Sequence, residues 1–275
     1  MPNIFALLWK SCQIREMTFR VLDGKLQATG ELSLFFFYEE ESETKKAVWN
    51  ETTVPVSAAI ECQGVREGML EQIGCSIGHL EIEAKADEDG EERVILLDLV
   101  LDLDIRIYEE TNLSMIEDLY GVAKQAAVVR GKGQYRRLLV KNNAKERVSD
   151  QFSISPGMPQ IQQICGSFGE VLVQEIKKQS DGVLVKGTVN VQILYESAEE
   201  EVPCGCLKGE LVFEELLETA EPVKNTCSCR IEASLEQLSV QAQNEQEADV
   251  RAVVCVKWLI CADCEEEIVT DALLR

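Results

Sequence analysis

Histidine is almost missing from this chain. Its 275 residues contain one, His79, set in a stretch that reads as a strand. A Ser-His-Asp triad needs an imidazole beside its nucleophile, and a His-rich zinc site needs several, so one isolated histidine supplies neither. Basic residues are also in deficit. The 27 Lys and Arg stand against 49 Asp and Glu, a formal charge of −22. A surface of that sign repels phosphate backbones and anionic headgroups, which removes nucleic acid and lipid surfaces as general partners. No apolar run reaches the ~18 residues of a spanning helix, so direct membrane insertion is not expected. The apolar start, Met1 to Trp9, lacks the basic beginning of a secretory leader. Cysteine is plentiful but lopsided: 11 in all, with only Cys12, Cys62 and Cys75 in the first half. An odd, uneven set is no disulfide framework, and a reducing, cytoplasmic compartment is expected.

What the chain does have is internal duplication. Met1-Pro2-Asn3-Ile4 returns as Met158-Pro159-Gln160-Ile161, and Asp23-Gly24 as Asp181-Gly182. Leu32, Leu34, Phe36 and Tyr38 return as Val189, Val191, Ile193 and Tyr195. Gly30 and Gly187 each stand eight residues before those tyrosines. Ile77, Leu80 and Ile82 return as Leu235, Leu238 and Val240. So many matches in one order, at an offset of 157 or 158, mean two copies of one module. With 45% apolar residues, each copy can bury a core.

The copies read as strands. Apolar side chains alternate from Leu32 to Tyr38 and from Val189 to Tyr195, and Asp-Gly steps mark hairpin turns. Asp89-Gly90 joins Ile77–Ala86 to a long strand, Val94–Tyr108, with one dry face (Ile95, Leu97, Leu99, Leu101, Leu103, Ile105, Ile107) and one acidic face. Its copy is Arg251–Cys264, in a register left open: Arg93 matches Arg251 at 158, whereas the apolar faces agree better at 157. Short helices are expected after Met1-Pro2, after Met158-Pro159 through Ile161 and Ile164, and from Met115 to Gly121 behind Ser114. The fold class is thus mainly β: two tandem antiparallel sheet or sandwich modules with a few short helices. The division is 1–121, a basic connector at 122–157, and 158–275. Asn142-Asn143 offers a hairpin turn inside the connector. Start and stop near repeat joints suggest a piece of a longer multi-module protein.

Three groups of residues carry candidate chemistry. Cys204-Gly205-Cys206 and Cys227-Ser228-Cys229 each place two thiols on one strand face, and four sulfurs can hold zinc. The first copy has no cysteines there, so the competing reading is small buried residues, with no metal or other cofactor. Arg130, Lys132, Arg136 and Arg137 belong to the one basic stretch, open to an acidic partner or to this chain's own acidic modules. Arg130-Gly131-Lys132-Gly133 lacks the spacing of a phosphate loop. Finally, Phe35, Phe36 and Phe37 must cover both faces of one strand, by core on each side or by a partner.

Asp23 to Tyr38 and Asp181 to Tyr195, with Phe152–Ile164, Arg93–Leu101 and Ile116-Glu117-Asp118-Leu119-Tyr120, resemble the SPOCS domain of SipL- and SpoVID-type sporulation proteins. The second copy departs from it, with Asp271-Ala272-Leu273 in place of Asp-Leu-Tyr. The resemblance implies a non-enzymatic protein of the mother-cell cytoplasm. Such a protein acts at the forespore surface and binds other spore coat and morphogenetic proteins. No segment resembling the family's LysM domain is present. The expected function is a protein-binding scaffold. The alternative is a glycan- or cell-wall-binding β domain, which would need exposed aromatics in a groove; Trp9, Trp49 and Trp258 are the candidates.

Overall fold

Alternating apolar residues and β-branched runs become eleven strands and, among the described residues, no helix. The computed structural model describes residues 3–43, 46–120, 126–197, 199 and 202–274. In chain order the strands are β1 (Ile4–Leu22), β2 (Lys25–Glu40), β3 (Ala47–Glu61), β4 (Leu70–Ala86), β5 (Glu92–Tyr108) and β6 (Ala126–Ser153). They continue with β7 (Ile161–Lys178), β8 (Gly182–Ser197), β9 (Cys204–Glu218), β10 (Ser228–Ala242) and β11 (Glu247–Leu274). All pairings are antiparallel. β1-β2-β3 and β7-β8-β9 are equivalent three-stranded sheets, each packed on the other sheet of its own copy: the two-stranded β4-β5 in the first, the three-stranded β10-β11-β6 in the second. Each copy is a β-sandwich.

Two devices of the repeat have visible causes. Gly24 has φ 74° in the two-residue turn between the paired Leu22 and Lys25, a conformation glycine adopts without strain. Asp181-Gly182 works differently: Gln179 N–H donates to the Gly182 carbonyl across a longer loop, and a Cβ on Gly182 would overlap the Leu217 carbonyl oxygen. Gly30 and Gly187 sit where the neighbouring strand presses in. A Cβ on Gly187 would overlap the Leu172 carbonyl oxygen and the Phe213 ring, and one on Gly30 the Glu16 carbonyl oxygen and the Met17 sulfur.

The expected short helices are absent. Ile161 and Ile164 belong to β7, and 115–120 is irregular, with the Ile116 carbonyl accepting from Val269 N–H. Met1, Pro2 and Gly121 lie outside the described residues. In β7, bulges between Ile161 and Gln163 and between Ile164 and Gly166 shift the alternation, so two residues three apart both reach the core. A bulged strand thus mimics helical spacing. Asn142-Asn143 makes no hairpin either. Residues 126–153 form one continuous strand hydrogen-bonded to β11, with Asn142 opposite Trp258 and Asn143 opposite Lys257.

The open register is settled by the pairing, at neither 157 nor 158. Leu101 lies opposite Ile77, and its equivalent Val254 lies opposite Leu235, an offset of 153. The hairpin from Leu235 to Val254 is five residues shorter than that from Ile77 to Leu101. An odd offset keeps the faces in phase, which is why 157 matched them better. Ile95, Leu97, Leu99, Leu101, Leu103, Ile105 and Ile107 therefore correspond to Ala248, Val250, Ala252, Val254, Val256, Trp258 and Ile260.

Those equivalent rows are not equally buried. The β11 row is fully buried, with no member above 6% exposed. Every member of the β5 row is only half-buried, and Val94, Leu96 and Val100 on the opposite face are exposed. The difference is one strand. β6 flanks β11 and closes the second sandwich against β9, where the Phe152 ring takes the space that a Gly209 side chain would fill. Among the described residues, β5 pairs with β4 alone.

Candidate interaction surface

The basic connector supplies β6, and its cations find the chain's own acids. Arg130 pairs with Asp118 at 3.7 Å, Lys132 with Glu265 at 2.6 Å, Arg136 with Asp263 at 2.9 Å and Arg137 with Glu221 at 2.6 Å. Lys141 reaches Glu71 of the first copy, and Lys145 pairs with Glu236. Hydrogen bonds from Lys132 and Gln134 hold the Glu265 carboxyl below the usual range. The four pairs first named are between 43% and 78% exposed. Pairs of that exposure are screened by solvent and contribute little, so they orient β6 without locking its charges away. Cations along an edge strand also discourage indiscriminate pairing with other sheets.

The cysteine pairs do not converge. Cys204 and Cys206 lie on β9 with their side chains away from the sandwich interior, Cys204 packing against the aromatic cluster between the copies. Cys227 is buried in the second core and Cys229 packs against it from β10. Burial pushes the thiols of Cys204, Cys206 and Cys229 up, and that of Cys165 up to about 11. Among the described residues, no group of three or more His, Cys, Asp or Glu side chains is arranged to hold a metal ion. His79 is exposed on β4.

The three consecutive phenylalanines divide as alternation requires. Phe36 enters the first core with Leu32, Leu34 and Tyr38. Phe35 and Phe37 point the other way, into a second apolar cluster with Phe168 and Leu194 of the second copy. The Phe35 and Phe168 rings meet edge-on at 5.1 Å, and Trp9 stacks on Phe168 at 6.0 Å. The outer faces of the β1-β2-β3 and β7-β8-β9 sheets thus pack on each other and join the copies. The cover over Phe35 and Phe37 is therefore the other copy. Trp9 and Trp49 pack on this junction and Trp258 is in the second core, so the tryptophans do not line a shared exposed groove.

Two clefts flank the junction. The larger, about 480 Å³, runs between Glu71 and Gln72 of β4 and Lys141, Glu232, Lys257 and Trp258 of the second copy. Glu232 is held above the usual carboxylate range, first by burial and then by Asp104, with Lys257 and Arg106 opposing. The smaller contains Glu51, whose carboxyl accepts from Ser33 and Arg15 at 2.6 Å each and is thereby held low.

No described helix is long and apolar enough to cross a membrane. Comparison with curated proteins and with solved structures finds no significant match. The SipL, SPOCS domain family model matches residues 3–85 and again 160–243, which correspond to β1–β4 and β7–β10. The matched segments together cover more than half of the chain, and the chain belongs to the SipL SPOCS-domain family, carrying that domain twice.

Proposed function

We propose that this chain is a non-catalytic, protein-binding scaffold of spore coat assembly, working in the mother-cell cytoplasm at the forespore surface. The observation that carries this reading is the family match over both copies, in a family tied to sporulation. The architecture is consistent with it: long strands, exposed sheet edges and a junction that holds two modules side by side suit the display of surfaces. Two linked modules bind a multivalent lattice by avidity, so weak contacts suffice. Arg130, Lys132, Arg136 and Arg137 serve as a docking stripe for acidic segments of coat and morphogenetic proteins. Their present ion pairs are weak enough for a partner's carboxylates to exchange with.

The test is affinity capture of the chain in lysates of sporulating and vegetative cells. Spore coat proteins retained stoichiometrically from the sporulating lysate alone support the reading. The quadruple variant Arg130→Glu, Lys132→Glu, Arg136→Glu, Arg137→Glu loses that retention while keeping its circular dichroism. Retention of no coat protein from either lysate sinks the scaffold role.

A further inference from the structure

Among the described residues, the duplicated sandwich has its edge strand once and lacks it once. In the second copy β6 lies antiparallel to β11, Lys145 opposite Cys255, Val148 opposite Ala252 and Phe152 opposite Ala248. In the first copy no strand among the described residues pairs with that edge of β5, and the apolar row beneath it is half-buried where the equivalent row of β11 is sealed. We propose that the free edge of β5 is a strand-addition site, taking an antiparallel extended segment from a partner protein. The segment carries apolar side chains at alternate positions and lysine or arginine between them. This deepens the scaffold reading and rests on it.

The second copy shows the chemistry that fits. Carried over at the offset of 153, the position of Phe152 falls beside Ile95, that of Val148 beside Leu99 and that of Ala144 beside Leu103. An occupant's apolar face would therefore complete the row that includes Ile95, Leu97, Leu99 and Leu101, which now packs only in part against the first core. On the outer face the position of Lys145 falls beside Asp102, with Asp104 and Val100 as its diagonal neighbours. Asp98, Asp102 and Asp104 are all exposed. Like charges directly opposite each other destabilise a pairing, so this acidic face selects a basic strand and disfavours β5 of a second copy of the same chain. Backbone hydrogen bonds along the edge give affinity, and the alternate apolar contacts fix the register.

The probe is a synthetic peptide of residues 139–153, the part of β6 whose chemistry the site is inferred to take, added to the full chain. Hydrogen exchange read by mass spectrometry locates the effect. The expected result is saturable protection of 92–108, with 247–260 unchanged because its edge is already paired. Binding weakens about tenfold in the Asp98→Lys, Asp102→Lys variant, and is lost with a peptide carrying Val148→Asp and Phe152→Asp. No protection of 92–108 at saturating peptide overturns the proposal. So does a sedimentation dimer whose 92–108 amides are protected without peptide, which would make a second copy the occupant. Coat proteins still captured by a chain that ignores the peptide would overturn the strand-addition site and leave the scaffold role intact.

Discussion

At the scale of single residues, the repeat preserves side chains whose absence or presence a neighbour dictates. Gly24 and Gly187 are both glycines of the duplicated pattern but for different reasons. Gly24→Ala forces an alanine to φ 74° with open space around it and costs about 1 kcal/mol. Gly187→Ala drives a methyl into the Leu172 backbone and the Phe213 ring and costs about 2–3 kcal/mol, since the backbone side cannot yield. Urea denaturation of the two variants gives that order, with unchanged slope. Tyr195 is fully buried and donates its hydroxyl at 2.9 Å to the Pro159 carbonyl, tying β8 to the chain entering β7. Tyr195→Phe keeps the ring and leaves that carbonyl unpaired, for an expected loss of about 1–2 kcal/mol by the same assay. The glycine-to-tyrosine spacing was legible in the sequence. The pressure of Leu217 on Gly182 was not, because that neighbour is far away along the chain.

At the scale of elements, two carboxylates give strand pairing opposite pH dependences. Glu51 on β3 is held low by hydrogen bonds from Ser33 and Arg15. A depressed folded value means its contribution is present above the unfolded pKa and fades as pH falls through the folded one. Glu215 on β9 is held high, chiefly by burial and then by Glu146 of β6 across the sandwich. Its contribution is present below the unfolded pKa and is lost as pH rises through the folded one. Glu51→Gln should therefore lower the melting temperature at pH 7, and Glu215→Gln should raise it. Both differences should shrink on acidification toward pH 4, and a melting series across that range checks the signs. Strand existence was readable from alternation, but bulges were not. They made β7 imitate helical spacing, and a continuous β11 overrode the turn preference of Asn142-Asn143.

At the scale of the molecule, the junction of Phe35, Phe37, Phe168 and Leu194 is a buried apolar cluster shared by the two copies, which should couple their unfolding. Phe35→Ala removes a ring that is 2% exposed and should cost about 3 kcal/mol, while leaving both sandwich cores whole. Calorimetry should then resolve two transitions where the unaltered chain shows one, and a single unbroken transition would mean that the coupling lies elsewhere. Composition, alternation and repeat order determined by themselves that this is a duplicated, mainly β chain with an acidic surface. Those properties follow from the period of side chains along a strand and from the count of charges, both local to the sequence. Only the tertiary structure decided which strand completes which sheet, the offset of 153, and that Phe35 and Phe37 face the other copy. Pairing is a contact between segments distant in sequence, fixed by loop length and by which edge remains open. An alternating pattern names a strand's two faces and leaves its neighbours unnamed.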